Sequence, residues 1–176
     1  MSNLQGTESN QILVFTLDEP RYALNLLAVE RVVRAVEIMP LPKAPPFVLG
    51  VINVQGQIIP VVDIRQRLHL PLRDLASDDQ FILAHTSRRR VALVVDSVVG
   101  TRQLADRELV NADQVLPGAE YIHGVAKLED GLVLICDLDQ FFPFDEERRL
   151  DTALMEDMTK TRGKTRRKTG EARNEE

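Results

Sequence analysis

The sequence predicts an all-β protein made of two small five-stranded barrels joined by short helical turns. Three observations carry this expectation. Apolar residues come in short runs ended by Gly, Pro or charged residues, which is the pattern of strands. A series of residues in the first half recurs in the second half at near-constant spacing. Strands this short and this evenly spaced suit closed barrels, because closure removes exposed edges.

The first strand is residues 12–17, closed by the turn signal Asp18-Glu19-Pro20, and the second is residues 22–27. Residues 29–38 continue in β-branched residues until Pro40, Pro42, Pro45 and Pro46 rule out regular pairing. Residues 47–54 and 57–63 then flank Gln55-Gly56, a two-residue turn that reads as a hairpin. One or two helical turns are expected over 65–70, before Pro71, and another helical piece over 104–109.

The repeat is seen by laying the second half over the first. Ala23-Leu24 is followed after four residues by Val29, and Ala92-Leu93 by Val98 after the same interval. Gly50-Val51 has Asp63 thirteen residues after its glycine, and Gly124-Val125 has Asp137 at the same distance. Gly56 and Gly131 mark a hairpin in each half, and Phe15 and Phe81 mark a leading strand. The expected units are a first barrel over 11–70 and a second over 79–142. A glycine opening a short strand marks a bend or bulge at a barrel corner. Neither Gly50 nor Gly124 lies in a phosphate-cradling motif.

Outside this region lie a short N-terminal arm, 1–10, expected to be flexible, and a C-terminal extension after Phe142. Within 143–159, Leu150, Leu154, Met155 and Met158 recur at helical spacing, so an amphipathic helix packed on the body is expected. Residues 160–176 have no apolar periodicity and are expected to be disordered. That tail holds seven basic and three acidic residues, so residues 1–159 carry −9 against −5 for the whole chain.

The acidic body argues against a nucleic-acid-binding core, whose phosphate contacts need clustered Lys and Arg. No apolar run approaches the ~18 residues of a membrane span, and the N-terminus shows no secretory pattern, so a cytoplasmic protein is expected. The one cysteine, Cys136, lies in an apolar run and reads as a buried structural thiol. His69, His85 and His123 stand apart, with no second ligand at metal spacing, so neither metal nor cofactor is expected. No serine sits in a nucleophile elbow, and Asp63, Asp96 and Asp137 read as strand-end caps rather than acid–base groups. No catalytic residue is nominated.

Gly50-Val51-Ile52-Asn53-Val54-Gln55-Gly56 and Ile59-Pro60-Val61-Val62-Asp63 resemble the CheW family of bacterial chemotaxis coupling proteins. The usual pattern there is an Asn-x-Arg-Gly hairpin followed by an Ile-Pro-Val-x-Asp strand. Val94–Val98 and Tyr121–Val125 agree as well, and the resemblance covers 11–142. It implies two intertwined SH3-like barrels, no catalysis and two partners. One is the cytoplasmic tip of a methyl-accepting receptor, met by Val29, Arg31, Val32, Asn53, Gln55, Gly56 and Ile58. The other is the regulatory domain of a CheA-type histidine kinase, met by Leu41, Pro42 and Val48. Association with the membrane is then peripheral, through the receptors.

The sequence departs from the family at two of these positions. Relatives usually place Glu two residues after the Val29 position and Arg within the hairpin, where this chain has Arg31 and Gln55. A cross-strand acid–base pair is replaced by a cation facing an amide, with Glu30 or a partner as the candidate counter-charge. A specialised coupling protein is expected, for instance in a pilus or surface-sensing array. The reading from another class is a small barrel that binds nucleic acid with the help of the basic tail. A salt-dependent shift with RNA or DNA that survives deletion of 160–176 would favour it.

Overall fold

The computed structural model describes residues 10–111, 120–142 and 148–159. The strands are β1 (Gln11–Thr16), β2 (Arg21–Asn25), β3 (Val29–Arg34), β4 (Val48–Val54), β5 (Gln57–Val62), β6 (Gln80–His85), β7 (Arg90–Val95), β8 (Ser97–Gln103), β9 (Leu109–Asn111), β10 (Ile122–Leu128) and β11 (Gly131–Cys136). They form a six-stranded sheet, β8-β1-β2-β11-β10-β9, and a five-stranded sheet, β3-β6-β7-β5-β4.

The repeat is real, but it is not the barrel. Each sheet takes its first hairpin from one repeat and its remaining strands from the other. β1–β2 join β8–β11, while β6–β7 join β3–β5. The expected units 11–70 and 79–142 therefore describe the sequence repeat and not the two sheets. The joints explain the exchange. Only Asp96 separates β7 from β8, and only the 3-10 turn Leu26–Ala28 separates β2 from β3. A joint of one residue is shorter than the two-residue loop of the tightest hairpins, so the chain runs on into the neighbouring sheet. The exchange leaves one parallel pairing in each sheet, β2 with β11 and β5 with β7.

Both sheets curl closed in the same way. After β8 the chain makes a 3-10 turn, Asp106–Glu108, and returns on the far edge as β9 against β10. After β3 it returns through Met39, which exchanges backbone hydrogen bonds with Val51 of β4 at 2.9 and 2.8 Å. The second piece is a short strand in one sheet and a single bridge in the other, which gives six strands and five. The helical piece expected over 104–109 is only that 3-10 turn, because Leu109–Asn111 is recruited as an edge strand. Residues 65–70 form a turn in which the Leu68 amide donates to the Ile64 carbonyl at 3.1 Å.

Gly50 and Gly124 sit where these returning segments cross. A Cβ on Gly50 would lie 2.2 Å from the Met39 carbonyl oxygen, and φ there is +154°. A Cβ on Gly124 would lie 2.9 Å from Leu109 Cδ1 and 3.0 Å from the Val110 oxygen. The strand register shifts beside each glycine, between Val48 and Gly50 and between Ile122 and Gly124. The register shifts are the bulges expected at these glycines, and the close approach of the returning segments adds to the need for glycine at both.

The core has three parts. Ile12, Val14, Ala23, Leu104, Ala126, Val133 and Ile135 fill the six-stranded sheet. Ile52, Ile59, Val61, Phe81, Leu83, Ala92 and Val94 fill the five-stranded one. A third cluster includes Leu13, Phe15 and Leu24 from the first sheet with Val62, Ile82 and Leu93 from the second, and so lies between them. β1 and β6 are thus buried on both faces, which is why they read as continuous apolar runs instead of alternating ones.

A helix, α1 (148–159), lies against this central cluster. Leu150 and Ala153 are buried in it and Leu154 packs at its edge, whereas Met155 and Met158 are exposed. The helix agrees with expectation over this span, but its two methionines are turned outward. Lys43 pairs with Glu156 at 3.2 Å and Arg89 pairs with Asp151, which fixes the rotation. The expected start of the helix at 143–147, the arm 1–9 and the tail 160–176 lie outside the described residues.

Candidate partner-binding surfaces

Gln55 and Gly56 form the two-residue loop of the β4–β5 hairpin, with φ of +51° and +83°. Two positive φ values give the turn whose twist matches the flanking strands. The Asn53 carboxamide oxygen accepts from the Gly56 amide at 2.8 Å and locks the loop. Ile58, opposite Asn53 on β5, is about half exposed. Four of the expected receptor-side residues therefore share one rigid hairpin.

The other three lie on β3, which is not adjacent to β4 or β5 in the sheet order. Val29 and Val32 are only partly buried, and they pack against the central cluster. Arg31 is exposed and has no ion-pair partner among the described residues. A residue the sequence did not suggest joins the two groups. Arg90, at the start of β7, donates from Nε and Nη2 to the two carboxylate oxygens of Glu30 at 2.8 and 2.6 Å, and from Nη1 to the Gln57 side chain. Glu30 is the extra residue of a bulge in β3. Its hydrogen bond from Arg90 holds the carboxyl below the usual range. Arg90 thus takes both Glu30 oxygens, and Arg31 adds a weaker electrostatic pull on the same carboxylate without a direct ion pair. Nothing in the linear sequence flags Arg90, since the contact exists only once β7 lies between β6 and β5.

The expected kinase-side residues separate differently. Leu41 and Val48 are buried in the central cluster, and only Pro42 of the three is exposed. Beside them, Met39 and Leu49 are exposed at 64% and 40%, respectively. The register shift at Gly50 turns Leu49 outward, so the glycine was the available signal.

The two sheets are also tied by charge. Arg65, 3% exposed, donates to Asp18 at 2.8 Å and to Asp96 at 2.6 Å. Arg73 pairs with buried Asp79 at 2.6 Å and also with Asp96. Burial pushes the Asp96 carboxyl up, but hydrogen bonds from Arg65, the Asp18 amide and Arg73 outweigh it, and the net shift is downward. Asp96 is therefore the centre of an ion cluster at the β7–β8 joint, beyond the capping role expected of it. Asp63 and Asp137 do cap, accepting from the Arg65 and Asp139 amides at 3.0 and 3.1 Å. Burial raises the Asp63 carboxyl.

A cleft of about 500 Å³ opens at the end of the six-stranded sheet, with Leu27 and Leu109 among its exposed residues and Ile12, Leu24 and Ile135 among its buried ones. Cys136 lies within it but is buried, and burial pushes its thiol up to about 12, far from a reactive thiolate. No group of three His, Cys, Asp or Glu with metal-binding geometry occurs among the described residues. No described helix is long and apolar enough to cross a membrane.

Two closed β units, locked by a shared core and an ion cluster, with locked hairpins and apolar side chains displayed outside, define a scaffold-type interaction module. Residues 11–146 match the model of the CheW-like domain, and the chain belongs to that family. It is 27% identical over 149 residues to the chemotaxis protein CheW of Treponema pallidum, covering 81% of this chain and 88% of that one. Against the CheW of Thermotoga maritima it is 30% identical over 130 residues, covering 74% and 85%. The scaffolding protein CheW of Thermoanaerobacter tengcongensis, solved as a crystal structure, superposes with a TM-score of 0.71 at 29% identity, over 77% of this chain and 94% of that one.

Proposed function

We propose that this protein is a non-catalytic coupling adaptor of a chemotaxis-class array, acting in the cytoplasm beneath the receptors. The observation that carries this reading is the CheW-like domain match over residues 11–146, joined to the two-sheet fold shared with a scaffolding relative. One partner is the cytoplasmic tip of a methyl-accepting receptor, on the side of β3 and the Asn53–Gly56 hairpin. The other is the regulatory domain of a CheA-type kinase. Its surface is centred on Pro42 with Met39 and Leu49, while Leu41 and Val48 support it from beneath. Arg31 and Gln55 make the chain a specialised member, whose receptors differ from those of relatives with Glu and Arg there.

Reconstitution tests this reading. The purified protein, a receptor-tip hairpin and a CheA-type kinase from the same organism are mixed in pairs and together. The expected result is binding to each partner separately, and a complex of all three that changes the kinase's autophosphorylation rate. Leu49→Asp is expected to remove kinase binding while sparing the receptor tip, because a carboxylate would be desolvated in the interface. Failure to bind either partner overturns the reading.

A further inference from the structure

Two surface features are not used by the coupling role. The first is α1, which extends beyond the CheW-like domain match over 11–146. Leu150 and Ala153 bury one face of the helix, and the pairs Lys43–Glu156 and Arg89–Asp151 hold it in place. Met155 and Met158, about one turn apart, are exposed at 71% and 54%. Residues 160–168 follow directly and hold six basic residues and no acidic one. The second feature is the segment 71–79 between β5 and β6. Arg73 pins it to Asp79 and Asp96, and the Asp79 carboxylate accepts from the Ala76 amide at 2.8 Å. Leu72 and Leu75 on this segment are exposed at 67% and 40%. Exposed Asp74 and Asp78 flank them, and exposed Asp18 and Glu19 lie on the β1–β2 turn, which meets the segment at Asp96. The ion cluster beneath has three carboxylates, Asp18, Asp79 and Asp96, for the two guanidinium groups of Arg65 and Arg73. Arg34, at the end of β3 beside Asp79, offsets only part of this excess of negative charge.

We propose that the protein associates head to tail with a second copy of itself: Met155, Met158 and the basic run of one copy dock on Leu72, Leu75 and the acidic rim of the next. The proposal is independent of the partner surfaces described above. Within one copy all four apolar side chains are exposed, so α1 does not cover the 71–79 segment of its own chain. Its buried face and its two ion pairs keep it from moving there. Charge selects the occupant. A run of six cations meets an acidic rim, whereas basic against basic or acidic against acidic would repel. The unbranched methionine side chains adapt to the leucines they cover. Because the two patches differ, the contact is heterologous and leaves one unused patch at each end, so further copies can add in a row.

Sedimentation of the full chain over a range of concentrations, at low and high salt, tests the proposal. The average mass is expected to rise with concentration at low salt, and salt is expected to suppress the rise. Two full-length variants separate the patches. One carries Leu72→Asp with Leu75→Asp; the other has the six basic residues of 160–168 changed to Gln. All these changes avoid the core, and urea unfolding checks that both variants remain folded. Each variant alone is expected to stay monomeric. Mixed in equal amounts they are expected to form a dimer and nothing larger, because only one intact patch of each kind remains. Met155→Ser with Met158→Ser, which leaves the charges in place, is expected to weaken self-association severalfold. A native chain that stays monomeric at every concentration overturns the proposal, as it would if the basic run bound the acidic rim of its own copy. Self-association that persists in either single variant overturns the choice of patches. A mixture that stays monomeric, or that grows beyond the dimer, overturns the head-to-tail geometry. Unchanged association in the methionine variant overturns the part given to α1.

Discussion

Gly50→Ala is the sharpest single probe of how these sheets close. The added Cβ would sit 2.2 Å from the Met39 carbonyl oxygen, where ordinary contact needs roughly a further ångström. Backbone cannot rotate out of the way as a side chain can, so the crossing must open. That breaks the two Met39–Val51 hydrogen bonds, at 2.9 and 2.8 Å. Each is worth about 0.5–1.5 kcal/mol. The positive φ of Gly50 adds about 1–3 kcal/mol for any residue with a Cβ. The expected loss is about 2–6 kcal/mol.

Gly124→Ala is the internal control. Its nearest neighbour is the end of the Leu109 side chain, which can turn aside, and the Val110 oxygen is 3.0 Å away. About 1–2 kcal/mol is expected, since only a few tenths of an ångström of adjustment are needed. Urea unfolding of the two variants beside the native chain reads both values from the midpoints. Equal losses, or a Gly50→Ala loss below about 1 kcal/mol, would refute closure by close backbone crossing.

Two further substitutions pairs test the ion cluster and the helix. Asp96 is held below the usual carboxylate range in the fold, so its contribution is present at neutral pH and lost as pH falls through the folded value. Asp63 is raised, so its charge costs stability at neutral pH and the cost fades as pH falls through that raised value. Asp96→Asn is therefore expected to lose about 2–4 kcal/mol at neutral pH and less in acid, as a buried pair losing one member does. Asp63→Asn, which keeps the cap oxygen, is expected to be neutral or slightly stabilising; pH-dependent urea melts check both. Leu150→Ala should cost about 2–4 kcal/mol by thermal or urea unfolding, whereas exposed Met155→Ala stays within about 0.5 kcal/mol.

The strands were legible because β1, β6 and β7 are buried on both faces and so spell uninterrupted apolar runs. The repeat was legible because Gly50 and Gly124 answer the same backbone crossing, and Asp63 and Asp137 cap the same turn. Which sheet each hairpin joins was not legible, because it depends on the one-residue joint at Asp96 and the turn at Leu26–Ala28, and neither has a strong sequence signature. Composition also cannot tell an apolar core residue from an apolar contact residue. Leu41 and Val48 were taken for surface and are core, while Leu49 lies outside because one bulge reverses the inward–outward order. Charge pairing across strands is hidden for the same reason. Glu30 and Arg90 are sixty residues apart and meet only through the β3-β6-β7 order.

The exchange of hairpins also has a mechanical consequence for a protein that must hold two partners. Neither sheet can be opened without drawing a hairpin out of the other repeat, and the central cluster takes side chains from both. Arg65 and Asp96 pin the place where the strands change sheets, with Asp18 from the β1–β2 turn on one side and Arg73 with Asp79 on the other. Two barrels joined by a plain linker would let their surfaces swing, and each partner would then meet the other at no fixed angle. Here the surface beside Gln55 and the surface beside Leu49 lie at opposite ends of one strand pair, β4–β5, so their separation is set by backbone geometry. In the proposed role, that fixed spacing along β4–β5 is what would orient the two partners relative to each other.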